Sequence, residues 1–421
     1  MQGLILGIDL CDDYSQVSCL NPLDMSADPI TLSDDEASCL IPTMICKKKV
    51  DDIWFIGEEA YRRALFNEGT MVDKLVKLAR KDGNATIEGV RYSAEDLLTR
   101  YVDRLLSLAK DKYQLQDVDS LVFTVQTLEG PLLDLLVKVA ERCGIARQRV
   151  RIMSHAECFV YYVVNQKPEV WSNLSCMFDL TDDGLHYYEM RMIRGRKPRV
   201  VEASHERLEE SFSLDILDSE SGQRLGDTIL TRCAEGLLNR KIISSVFLTG
   251  KGFLKTEWMP NFLRVVCNKR RVFAGQHIFA SGAAYLAYDT LQEQTAYPFV
   301  CLCEGRIGSS ISMTVQYDGR SEHLTLAEAG TNWYEAQASV ELIPDREDEL
   351  ELNITPCGLP RSDKVKIDLT EFPERPPKTT RIEVILSFLS ENCMTVRVID
   401  RGFGELFPSS GKTIRRDFYL S

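Results

Sequence analysis

Two distant stretches of the chain share one pattern, in which a nearly continuous apolar run enters an acidic turn and a second apolar run leaves it. Leu4 to Leu10 runs into Cys11-Asp12-Asp13, and Ser15 to Leu20 follows; Ser175 to Leu180 runs into Thr181-Asp182-Asp183-Gly184, and Leu185 to Met192 follows. Short apolar runs bounded by turn residues predict buried strands, here two hairpins. After the first hairpin, residues 21 to 40 are polar and read as irregular. A strand is expected around Ile41 to Ile45, and Trp54-Phe55-Ile56 leads into helical spacing from Gly57. Ser93-Ala94-Glu95-Asp96 is a capping box before a helix whose Leu97, Leu98, Tyr101, Val102, Leu105 and Leu108 share one face. The strand Leu121 to Val125 comes next. Gly130-Pro131 then opens a helix that stops at Gly144, a strand lies near Val150 to Met153, and a helix spans Ala156 to Val164.

The second hairpin is followed by a strand near Arg199 to Ala203, a helix from Gly226 to Leu238, a strand Ser244 to Thr249 and a helix Ser281 to Tyr288. Each half begins with an acidic hairpin and ends in a helix, which predicts an α/β protein of two similar lobes facing one cleft. After Gln294 the pattern changes to short alternating strands, with Asp318-Gly319 as a hairpin turn and Arg381 to Phe388 as a strand, so a β-sandwich is expected. The expected domains are residues 1–170, 171–294 and 295–421.

Composition narrows the class. A chain of 421 residues exceeds one hydrophobic core, and 44% hydrophobic with 27% charged residues is ordinary globular material. No apolar run approaches the roughly 20 residues of a membrane span. Met1-Gln2-Gly3-Leu4 lacks the features of a signal peptide, so a cytoplasmic protein without membrane partners is expected. The net charge of −13 disfavours nucleic acid, and the small basic clusters Lys47 to Lys49, Arg194 to Arg199 and Asn268 to Arg271 read as solvated loops.

Thirteen cysteines contain no CxxC pair, which predicts free buried thiols; Cys301 and Cys303 fall on one side of a strand. The five histidines, His155, His186, His205, His277 and His323, have no paired ligand spacing, so no zinc site is expected. Nucleophile-elbow, Walker and dinucleotide motifs are also missing.

With these residues in place, the chain resembles the DnaK-type heat-shock chaperones of the actin-like ATPase superfamily. Gly7-Ile8-Asp9-Leu10 is similar to the first phosphate motif, Ile56 to Ala60 to the helix start that follows it, and Val122 to Val125 to the strand entering the family's proline turn, with Gln126 in place of proline. Phe178-Asp179-Leu180 is similar to the second phosphate motif, Phe247-Leu248-Thr249-Gly250 to the adenosine motif and Ser281 to Ala284 to the closing helix. Arg381 to Gly404 resembles the last strands of the chaperone's peptide-binding sandwich. The resemblance implies a duplicated actin-like ATPase fold. It implies nucleotide contacts from Gly7, Asp9, Asp12, Asp13, Asp179, Asp182, Gly184, Gly250 and Gly252, and magnesium held by Asp9 and Asp179.

The departures point away from hydrolysis. Carboxylates stand where phosphate-binding glycines and threonines belong, and one carboxylate about 4 Å from a phosphate charge costs about 4 kcal/mol at an effective dielectric near 20. Several together offset most of a micromolar ATP affinity, roughly 8 kcal/mol. The double glycine of the adenosine motif is Gly250-Lys251-Gly252, and one helix fills the space of the adenine-clamping subdomain. The family's catalytic glutamate segment falls on Ser154-His155-Ala156-Glu157, with His155 at the glutamate; Lys74 and Lys77 lie near its catalytic lysine. If the site were active, Asp9, Glu157 and Asp179 would carry the reaction.

The expectation is a chaperone-like pseudo-ATPase scaffold that binds a polypeptide or partner protein without a cofactor. The alternative is a divergent magnesium-dependent ATPase or nucleotide switch. A further possibility is that Asp9, Asp12, Asp13, Asp179, Asp182 and Asp183 converge on a divalent cation such as calcium.

Overall fold

In the computed structural model the described residues are all but 1–2, 33–38, 50, 194, 196, 211, 347, 360 and 421. Arg194 and part of the 21–40 segment therefore lie outside them. The architecture is mixed α/β, with eight α-helices among the described residues: α1 (Gly57–Leu65), α2 (Leu75–Arg80), α3 (Ala94–Tyr113), α4 (Gly130–Arg142), α5 (His155–Val164), α6 (Glu220–Leu238), α7 (Pro260–Val266) and α8 (Ile278–Asp289). None is long and apolar enough to cross a membrane. The chain divides into two compact units, one of Met1–Met192 with Glu202–Tyr297 and one of Ile193–Val201 with Pro298–Ser421.

Two sheets are built alike, the first within the first unit and the second with most of its strands there. Strands β1 (Leu4–Leu10), β2 (Tyr14–Asn21), β3 (Ser26–Pro29), β4 (Val118–Val125) and β5 (Val150–Ser154) lie in the order β5-β4-β1-β2-β3. Strands β6 (Leu174–Thr181), β7 (Gly184–Ile193), β8 (Arg199–Arg207), β9 (Ile243–Thr249) and β10 (Arg271–Ala274) lie in the order β10-β9-β6-β7-β8. In each sheet the first strand is antiparallel to the second and parallel to the fourth, and the fourth is parallel to the fifth. The register shift at Leu4 in the β1/β4 ladder recurs at Leu174 in β6/β9. Asp9 and Asp179 are therefore equivalent residues. Asp9 is paired with Thr124 and Gln16, and Asp179 with Thr249 and His186. Because β1 and β6 are central and buried on both faces, their sequences are continuous apolar runs and not alternations.

Helix α8 is buried from Ile278 to Ala287, and its small residues let backbones meet. A Cβ on Gly282 would lie 1.9 Å from the Cys158 carbonyl oxygen of α5, and one on Gly7 would lie 2.0 Å from the Ala280 carbonyl oxygen. Gly7, expected at a phosphate, thus has a packing role that already accounts for its lack of a side chain.

Several boundaries differ from the sequence pattern. Helix α6 begins at Glu220, six residues before Gly226, because Ser219 accepts the Gly222 N–H and caps it there. Strand β3 occupies part of the segment read as irregular; its four residues carry too little apolar periodicity to register. Helices α2 and α7, the hairpin Asn84–Ile87/Val90–Ser93 and β10 are also too short for periodicity to reveal. The Ser93 capping box is present, with Ser93 and Asp96 bonding reciprocally.

The second unit is β-rich. One four-stranded sheet joins Arg320–Ala327, Ser309–Tyr317, Glu349–Pro356 and Asp363–Asp368, in that order; the other joins Ala338–Leu342, Ile382–Ser390, Cys393–Asp400 and Thr413–Tyr419. Ile311, Leu352 and Ile367 of one sheet share a core with Ile382, Val384 and Val396 of the other. Asp318 and Gly319 have φ of 49° and 73° in the two-residue loop closing Tyr317 on Arg320, the positive-φ chemistry of a tight hairpin. Beneath the second sheet, Arg375 donates two 2.7 Å hydrogen bonds to the buried Asp400 carboxylate, which also accepts the backbone N–H groups of Gly402 and Ser410.

Candidate functional site

The carboxyl ends of β1 and β6 open on one cavity of about 80 Å³ in the first unit, whose lining includes Asp9, Cys11, Asp12, Asp13, His155, Asp179, Asp183, His186, Gly250 and Lys251. A groove of about 260 Å³ has Asp12, Asp13, Glu58, Asp73, Lys74 and Asp182 among its lining. The two turns that feed the cavity differ in length. Asp182 and Asp183 form a two-residue turn between the paired Thr181 and Gly184, with the Thr181 hydroxyl accepting the Asp183 N–H. The first turn inserts four residues, Cys11 to Tyr14, between Leu10 and Ser15, which carries Cys11 back over the end of β1.

At the centre, Asp9 Oδ1 lies 2.7 Å from His155 Nε2 and 3.6 Å from Cys11 Sγ, and Cys11 Sγ lies 3.8 Å from the same His155 nitrogen. Three donor types common at metal centres thus meet at one point. Asp9 and His155 are buried, whereas Cys11 is half-buried. His155 opens α5, is stacked on Phe279 with ring centroids 3.9 Å apart, and has no hydrogen-bond partner at Nδ1 among the described residues. Burial drives the Cys11 thiol well above its usual range, and Asp9 and Asp179 raise it further.

Asp179 is also buried and has no hydrogen-bond partner among the described residues. Its carboxyl is pushed up to about 7 by burial; nearby His155 opposes this shift, whereas Asp9 and Asp183 add to it. Beside it, burial lowers His186 and His205 to about 4, so both are neutral at pH 7. Their ring nitrogens lie 3.0 Å apart, and Asp183 lies 3.3 Å from His186. Burial likewise raises Asp12 and Asp13, the latter further through Asp182. Lys251 contacts Asp182 at 3.2 Å.

The glycines expected to bind nucleotide have other partners. A Cβ on Gly250, whose φ is +90°, would lie 2.4 Å from Asp179 Oδ1, and the Gln276 amide clamps the Gly250 backbone with a donor and an acceptor, each at 3.2 Å. Gly252 is pressed on Leu180, and Gly184 closes its hairpin. Glu157 is fully buried in α5 and is not part of the cavity lining; His155 faces the cavity in its place. Of the six aspartates expected to converge, Asp9, Asp12, Asp13, Asp179 and Asp183 line the cavity, and Asp182 lines the neighbouring groove.

Cys11 and His155 are the functional candidates that sequence spacing missed as metal ligands. They are 144 residues apart, so no local motif pairs them.

No curated protein matches the chain. Residues 306–420 match a Domain of unknown function (DUF8552). Residues 26–304, which include His155, Asp179 and the paired histidines, match a Family of unknown function (DUF5716) C-terminal, and on that match over more than half its length the chain belongs to this family.

Proposed function

We propose that this protein is a chaperone-like pseudo-ATPase: an actin-like scaffold of two lobes that lacks the adenine-clamping subdomain, joined to a β-sandwich that binds a polypeptide or partner protein. The duplicated strand order and the equivalence of Asp9 and Asp179 support the superfamily reading. The single observation that carries the loss of nucleotide chemistry is the charge of the cleft: five carboxyl groups, Asp9, Asp12, Asp13, Asp179 and Asp183, line the cavity where phosphates would sit. The basic groups nearby serve the carboxylates, with Lys251 on Asp182 and Arg80 opposing the upward shift of Asp12. For the partner, Thr413–Tyr419 ends its sheet, pairing with Cys393–Asp400 on one side and with no other strand among the described residues. An extended peptide adds to such an edge through main-chain hydrogen bonds.

Equilibrium dialysis of the full chain against labelled ATP with magnesium tests the nucleotide half. The reading expects no saturable binding below about 1 mM, equivalent to roughly 4 kcal/mol. Micromolar, magnesium-dependent binding that weakens in Asp9→Ala would replace it with the divergent ATPase.

A further inference from the structure

We propose that Asp9, Cys11 and His155, completed by Asp179, bind one divalent transition-metal ion of the zinc class. The inference does not depend on the nucleotide reading, because it rests on how Asp9, Cys11 and His155 meet, with Asp179 lining the same cavity.

The alternative use of a cysteine, a histidine and an aspartate is a nucleophilic relay, in which the histidine contacts the thiol through one ring nitrogen and the carboxylate through the other. Here Cys11 and Asp9 both converge on His155 Nε2, and Nδ1 has no partner among the described residues. Convergence of three donors on one point is ligand geometry. The 3.6 Å contact of Cys11 with Asp9 falls among the edges of about 3.3–3.7 Å that bonds of about 2.0–2.3 Å give in a tetrahedral zinc site, and the 3.8 Å contact with His155 lies just beyond them. The Asp9–His155 contact of 2.7 Å has to open by roughly half an ångström.

Asp179 supplies the independent observation. It is 94% buried at 6% exposure, lines the same cavity and has no hydrogen-bond partner among the described residues, at the position equivalent to Asp9 in the other sheet. A buried carboxylate without a counter-charge is costly, and either protonation or a facing cation relieves it. Thiol and imidazole favour zinc-class ions over magnesium or calcium, which take oxygen donors. Asp12, Asp13 and Asp183 around the cavity favour a cation over an anion. On binding, the Cys11 thiol gives its proton to solvent, and His155 binds through Nε2 with its proton on Nδ1.

The test uses the full chain, reduced and stripped with chelator, titrated with cobalt(II) as the spectroscopic stand-in and then with zinc. Wild type is expected to develop a thiolate-to-cobalt absorption saturating near one equivalent and reversed by zinc. Cys11→Ser should abolish the band, while His155→Gln and Asp179→Asn should weaken binding by at least about tenfold. Cys11→Ser is conservative, and circular dichroism is used to check that each variant is folded. Cys301 and Cys303, whose sulfurs lie 3.7 Å apart in the other unit, are the competing thiols, so Cys303→Ser should change nothing. The assignment is overturned if no thiolate band forms, if the band survives Cys11→Ser, if it is lost in Cys303→Ser, or if magnesium or calcium binds there in preference to zinc.

Discussion

Asp179 in the first unit and Asp400 in the β-rich unit are both buried, and the two are in opposite electrostatic states. In the β-rich unit, burial alone would raise Asp400, but the paired Arg375 guanidinium and the N–H groups of Ser410 and Gly402 hold it well below the usual carboxylate range. In the cleft, burial with Asp9 and Asp183 nearby holds Asp179 up at about 7, against the opposing pull of His155. Asp400 is a completed structural joint. Asp179 lies among further carboxyl groups, and His155 is the nearby group that opposes its upward shift. The contrast shows why burial alone does not identify a site: the surplus of like charge and the lack of hydrogen-bond partners distinguish one aspartate from the other.

Substitution should separate them in sign. Asp400→Ala leaves Arg375 buried and uncompensated and should cost about 3–5 kcal/mol in urea unfolding. Asp179→Asn, measured in chelator at pH 8, should instead stabilise by up to about 4 kcal/mol. The sign follows from linkage. The folded carboxyl at about 7 stands above its reference value of 3.8, so wild type loses stability as pH rises between those values, and the variant's gain should be nil near pH 4 and complete above pH 8. A loss of stability in Asp179→Asn under these conditions would erase the distinction.

A smaller effect sharpens it. His205 and His186 at about 4 are depressed from 6.5, so the folded state holds fewer protons across that window and the protein should weaken as pH falls through it. His205→Gln should flatten that slope, worth roughly 1–3 kcal/mol by pH 4. An unchanged slope would show that the imidazoles are not held neutral by burial.

Much of the fold is legible in the sequence because central strands and long amphipathic helices have strong patterns: β1, β6, α3 and the Asp318-Gly319 hairpin all follow from local residues. Short elements such as α2, α7 and β3 do not, since four to seven residues hold too few turns or alternations. At the site, the equivalence of Asp9 and Asp179 was visible as a repeated strand-turn pattern. The approach of Cys11 to His155 was not, because it depends on β1 and the end of β5 lying on either side of β4 in one sheet. Gly7 and Gly250, which the sequence assigned to phosphates, make room for a helix carbonyl and for a carboxylate.

The most direct measurement is the unfolding temperature of the chelator-stripped protein with nothing added, with zinc, and with magnesium and ATP. A ligand at a hundredfold its dissociation constant stabilises by about 2.7 kcal/mol. The account predicts that zinc raises the midpoint in wild type but not in Cys11→Ser, and that magnesium with ATP leaves both unchanged. A rise with magnesium and ATP would contradict the pseudo-ATPase reading alone, whereas a zinc response that is absent, or unaffected by Cys11→Ser, would contradict the metal site alone.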